Sequence, residues 1–193
     1  MEKGFITDIL RSRKTVFSFK DLLLLWGIDA KTARVRLSYY TRHDNLYPIR
    51  RGLYAKDKNY DRLELATKIF TPSYVSFETV LAEAGMIFQK YGQIFVASYQ
   101  TKDILCDGQT YSFRRLKETI LTNNAGIENR GNYSAASPER GFLDVLYLNK
   151  EYHFDNVASL DWDKVFVMLP LYNNKRMAKE VSKYFKAFQT NTA

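Results

Sequence analysis

The chain has 193 residues, 46% hydrophobic and 26% charged, which suits one folded domain or two small ones. A single cysteine, Cys106, excludes an internal disulfide framework and a cysteine zinc site, and two histidines, His43 and His153, exclude a histidine-rich metal site. The net charge of +8 is uneven: residues 1–58 hold 13 Lys and Arg against 6 Asp and Glu, and residues 59–193 hold 16 against 15.

A basic head on a nearly neutral body points to a polyanion-binding module joined to something else. The amino end lacks an apolar signal core. The runs "LLLLW" and "VFVMLPLY" fall far short of the ~20 residues a membrane helix needs. The expectation is a cytoplasmic protein with no membrane contact.

In chain order, Phe5, Ile6, Ile9 and Leu10 predict a first helix over Glu2–Arg13, and "TVF" a short strand. Ser18 and Asp21 form a capping signal for a second helix, Phe19 to Trp26, with Gly27 at its exit. Asp29 caps a third helix, from Ala30 to about His43. The short Gly-containing break between these two helices is that of a helix-turn-helix.

At 100° per residue, Ala33, Leu37 and Tyr40 share the inner face of the third helix. The opposite face carries Lys31, Arg34, Val35, Ser38, Tyr39 and Arg42. "NLYPIRRGLYAK" then predicts two short strands turning at Gly52, with Arg50 and Arg51 beside the tip. Three helices and a small hairpin make a winged helix-turn-helix. Arg can read guanine through two hydrogen bonds, while Ser, Lys and Tyr commonly reach phosphate. The candidate DNA-binding set is Lys31, Thr32, Arg34, Ser38, Tyr39 and Arg42 on the helix, with Arg50 and Arg51 in the wing.

"AKDKNYD" reads as a polar linker. Leu63–Phe70 and "SFETVLAEAG", capped by Ser76, are helical, and "IFQ", "QIFVASY", "DILC" and "TYSFRRL" read as strands. Ser137 caps a helix with Pro138 at its first position; Glu139 and Arg140 read as its first turn, where the helix dipole favours Glu, with an interaction or functional pair as the alternative. Asp161 starts another helix, to about Leu169. A last amphipathic helix carries Met177, Val181, Tyr184 and Phe188 on one face. The fold class is α+β: a winged helix-turn-helix over 1–58 followed by a mixed α/β domain over 59–193.

Catalytic signals are thin. Cys106 reads as core, and His43 as the end of the third helix, where positive charge is favoured. No phosphate-binding glycine loop or nucleophile elbow is present. Asp103, Asp107 and Asp144 are the carboxylates on which a metal-dependent nuclease or transferase would have to rest.

The succession of the basic helix, "IRRGLYA", "PSYVSFETVLAEAGM" and "SPERGFLDVLYL" resembles the AbiEi family of abortive-infection antitoxins, from about Phe17 to about Leu148. The resemblance implies a winged-helix domain that represses its own operon at promoter inverted repeats. It also implies a C-terminal domain that counteracts a nucleotidyltransferase toxin in phage defence, without a stable complex between the two. Carried over, the DNA-binding positions are Lys31, Arg34, Ser38, Arg42, Arg50 and Arg51; the toxin-opposing part maps only to the region from Tyr60 onward. The expected protein is therefore a non-enzymatic repressor and antitoxin, free of cofactor and metal. Its partners are double-stranded DNA and a cognate toxin, and it acts as monomer or homodimer. The alternatives are a DNA-directed metal-dependent enzyme and a winged-helix protein-interaction module.

Overall fold

A computed structural model describes residues 4–192. The amino-terminal part runs α1 (Phe5–Arg11), β1 (Val16–Ser18), α2 (Phe19–Trp26), α3 (Ala30–Arg42), β2 (Tyr47–Arg50) and β3 (Leu53–Ala55). The expected helix start at Glu2 lies outside the described residues. The same helix stops at Arg11 rather than Arg13, because Ser12 turns extended. The strands form an antiparallel sheet in the order β1-β3-β2.

Each face of this sheet serves a different core. Phe17 points to the helices and joins Phe5, Ile9, Leu22, Trp26, Ala33, Leu37 and Leu46 in a compact cluster. Val16, one residue earlier, joins Ile49, Leu53 and Ala55 in the larger cluster that continues to Val181. Alternation along a strand sends neighbours to opposite sides. Trp26 closes the small core, donating from Nε1 to the Phe5 carbonyl at 3.1 Å.

The stretch expected as a polar linker is tied down. Tyr60 is buried within it, and the Lys56 ammonium donates to the carbonyls of Leu10 and Ser12. Beyond it come α4 (Arg62–Ile69), β4 (Ser73–Val75), α5 (Glu78–Glu83), β5 (Gln93–Ser98), β6 (Lys102–Cys106), β7 (Gln109–Arg115) and α6 (Glu118–Leu121). Then follow β8 (Ile127–Asn129), β9 (Ser134–Ala136), α7 (Pro138–Leu148), α8 (Trp162–Met168), a 3₁₀ turn (Leu169–Tyr172) and α9 (Lys175–Thr192). The whole is α+β. The second sheet is mixed, ordered β6-β7-β5-β4-β9-β8, with β5/β7 and β4/β9 parallel. Asp107 and Gly108, both at positive φ, make the tight β6–β7 turn.

Helix α7 lies at the centre, buried from Glu139 through Leu146. Its Phe142 ring meets Phe154, Trp162 and Tyr184, and α9 seals it with the fully buried Met177 and Val181. Burying one such aromatic ring contributes about 1.5–3 kcal/mol.

Two local expectations fail for long-range reasons. Ser76 does not cap α5; its hydroxyl donates to Asp144 at 2.8 Å, and Phe77, at φ 56°, precedes the helix instead. "IFQ" is not a strand: Phe88 is exposed, and its backbone N–H is taken by the Asp155 carboxylate at 2.7 Å.

Candidate nucleic-acid interface

Helix α3 is set by its first turn. The Asp29 carboxylate accepts from the backbone N–H groups of Lys31 (2.9 Å) and Thr32 (3.0 Å), and from the Thr32 hydroxyl (2.6 Å). These bonds, led by the Thr32 hydroxyl, hold the Asp29 pKa below its ordinary value. Helix α2 carries the reciprocal capping box between Ser18 and Asp21 and leaves through Gly27 at φ 61°. The chain then re-enters a helix within three residues, so α2 and α3 share one small core.

Ala33 and Leu37 point into that core, and Tyr40 packs on Trp26 with ring centroids 6.1 Å apart. Lys31, Thr32, Arg34, Ser38, Tyr39 and Arg42 are all exposed. So are Arg50 and Arg51 at the β2–β3 hairpin. Among the described residues, none of these five cations forms a salt bridge. Arg34 is steadied from below by the Phe19 ring, 5.3 Å from its guanidinium carbon. Tyr39 packs along the helix on His43, ring centroids 4.3 Å apart. The Thr32 hydroxyl hydrogen is taken by Asp29, so Thr32 offers a ligand no free donor.

The hairpin tip is a two-residue turn, Arg51 and Gly52, closed by the Arg50–Leu53 pair. Gly52 sits at φ 81°, where a side chain would be strained, although the space around it is open. Its carbonyl accepts from the Phe19 N–H at 3.1 Å, which fixes the tip to the start of α2. Helix and hairpin are thus positioned by one scaffold.

Arg36 belongs elsewhere. It is half-buried, with its guanidinium 4.2 Å from the centre of the Phe5 ring. At 100° per residue it falls between the two faces, which separates it from the exposed cations.

Two clasps hold this region to the rest. In one, Asp107, at the β6–β7 turn, accepts from the hydroxyls of Tyr47 (3.1 Å) and Tyr60 (2.8 Å), while Arg62 donates to its carbonyl at 3.0 Å. The carboxylate raises the Tyr47 pKa; for Tyr60, burial is the larger cause of the rise. In the other, Asp21 accepts from Lys14 at 2.8 Å and from Lys68 of α4 at 3.0 Å. Burial alone would raise the Asp21 pKa. The hydrogen bonds from Lys14, Ser18 and Lys68 outweigh it and hold the carboxyl well below the usual range. Beside them the buried Glu64 accepts from the backbone N–H and hydroxyl of Thr15, both at 2.8 Å. Sequence reasoning missed both clasps, whose contacts to Asp107 and from Lys68 to Asp21 join residues 45 to 60 positions apart.

The carboxylates weighed for catalysis are engaged in hydrogen bonds within the fold. Asp103 accepts from Ser112 at 2.7 Å, and Asp107 serves the first clasp. Asp144 is fully buried and accepts from Tyr172 (2.7 Å), Ser76 (2.8 Å), Tyr74 (2.9 Å) and the Arg140 Nε (3.3 Å). Burial pushes its pKa up against these donors. Arg140, also fully buried, donates further to the carbonyls of Ala125 and Ile120 and to the Tyr74 hydroxyl. Among the described residues no group of three or more His, Cys, Asp or Glu side chains gathers in a way that could hold a metal ion. Cys106 is buried, and burial raises its pKa. No described helix is long and apolar enough to cross a membrane.

Comparison with known proteins assigns no family: no family model matches the chain, and no curated protein matches it.

Proposed function

We propose that the amino-terminal region is a winged helix-turn-helix that binds double-stranded DNA, with α3 as recognition helix and the β2–β3 hairpin as wing. The observation that carries this reading is the set of five exposed cations, Lys31, Arg34, Arg42, Arg50 and Arg51, on one capped helix and one anchored hairpin, none of them in a salt bridge among the described residues. Desolvated acids beside them would have neutralised them; bare cations on a fixed scaffold favour a polyanion. Ser38 and Tyr39 add hydroxyl groups on the same exposed helix surface.

The wider role follows the resemblance in the sequence: a repressor of its own operon that also opposes a nucleotidyltransferase-type toxin in phage defence. The cation set supports the DNA half of that reading. The toxin half rests on "PSYVSFETVLAEAGM" and "SPERGFLDVLYL". The deciding experiment is a titration of labelled promoter DNA by the full chain at several salt concentrations. With five to seven phosphates neutralised, log K falls against log[salt] with a slope of about −5 to −6 per protomer. Absence of binding even at low ionic strength would sink the reading and leave a protein-interaction module.

A further inference from the structure

A second group of exposed cations lies far from α3 in the sequence, at the open end of the large sheet. Strands β5 and β7 are parallel and in register, Ser98 opposite Arg115, so both leave the sheet at the same edge. Tyr99 follows the first and Lys117 follows the second by two residues. Strand β4, antiparallel to β5, starts at that edge just after Pro72. The last turn of α7 brings Tyr147 alongside. These segments line one open cleft of about 710 Å³. That size suits a small organic ligand, and the carboxyl ends of parallel strands are where open sheets bind them.

The lining has a defined chemistry. Arg115 and Lys117 are exposed and, among the described residues, form no salt bridge. A guanidinium and an ammonium together match a phosphate, one as a fork and one as a point charge. Tyr99 is 48% exposed and braced edgewise by Phe70, ring centroids 5.8 Å apart, which leaves ring surface for an aromatic ligand. Glu118 adds one acceptor of the kind that takes ribose hydroxyls. The α7 carbonyls that would repel an anion here are engaged: Arg176 donates to those of Leu146 at 2.8 Å and Tyr147 at 3.3 Å.

From this juxtaposition we infer that the cleft binds a mononucleotide, its phosphates on Arg115 and Lys117, its base against Tyr99 and its sugar toward Glu118. The site is independent of the DNA-binding surface and of the reading of that surface. Equilibrium dialysis of the full chain against labelled ATP tests it, with adenosine, inorganic phosphate and a single-stranded RNA trinucleotide as competitors. Saturable ATP binding is expected, weakened at least tenfold by Arg115→Ala with Lys117→Ala and several-fold by Tyr99→Ala. All three positions are exposed enough for the fold to persist, which circular dichroism checks. Arg50→Ala with Arg51→Ala should leave ATP binding unchanged, and the Arg115/Lys117 variant should retain DNA binding. Four results would overturn the inference: no saturation at millimolar ATP, binding indifferent to the Arg115/Lys117 change, phosphate competing as well as ATP, or the trinucleotide displacing ATP at far lower concentration.

Discussion

Helices α3 and α7 begin alike and use their charges in opposite ways. Each starts from a side-chain cap, Asp29 for α3 and Ser137 for α7. On α3 the cations Lys31, Arg34 and Arg42 stand exposed and, among the described residues, form no salt bridge. On α7, Arg140 and Asp144 face each other in the interior, and Asp144 also collects three hydroxyl donors. A buried ion pair resists the removal of either member, because the survivor is left charged and unmatched. An exposed cation costs the fold almost nothing and stays available to a ligand. The two helices separate residues that shape the protein from residues free to bind.

That contrast can be broken by mutation. The largest effect is expected inside: Arg140→Ala or Asp144→Ala should each cost ~3–5 kcal/mol in urea denaturation. Equal losses from Arg42→Ala would erase the distinction. Next come the α3 cations. Arg34→Ala and Arg42→Ala should each weaken operator binding by ~1–3 kcal/mol if they reach base edges, while moving stability by no more than about 0.5 kcal/mol. The hairpin gives a smaller and less selective signal. Arg50→Ala with Arg51→Ala should weaken binding to every DNA sequence and flatten the salt slope by about 2; a gel shift at two salt concentrations that shows no change would remove the hairpin from the interface.

The gentlest test is acid. The folded pKa of Asp21 lies below its unfolded value near ~3.9, so the folded state binds this proton less readily than the unfolded one. Its contribution is therefore present above about pH 4 and is lost as pH falls below that. Urea midpoints at successive acid pH values should decline more shallowly in Asp21→Asn than in the parent chain. Parallel declines would show that the Lys14–Asp21–Lys68 clasp adds nothing.

What could be read from the sequence was local. Ser18 with Asp21, Asp29 before α3, and Ser137 with Pro138 all act within a few residues, and each does what its spacing implies. The outward face of α3 was legible because helical period and burial agree at Ala33 and Leu37. Strand β4 was not, since its three residues take their order from β5 and β9 rather than from any alternation of their own. Ser76 looked like a cap because Asp144, 68 residues away, is invisible at that range. The Tyr99–Arg115–Lys117 cleft escaped notice for the same reason: pairing of β5 with β7 creates it.

The small three-stranded sheet works as a party wall. Val16 and Phe17 are adjacent in the chain yet furnish different rooms. Severing the polypeptide in the 56–61 stretch would strip one side of that wall, baring Val16, Ile49, Leu53 and Ala55 to water. Evolution could therefore not shuffle this head onto another body without refitting the shared partition.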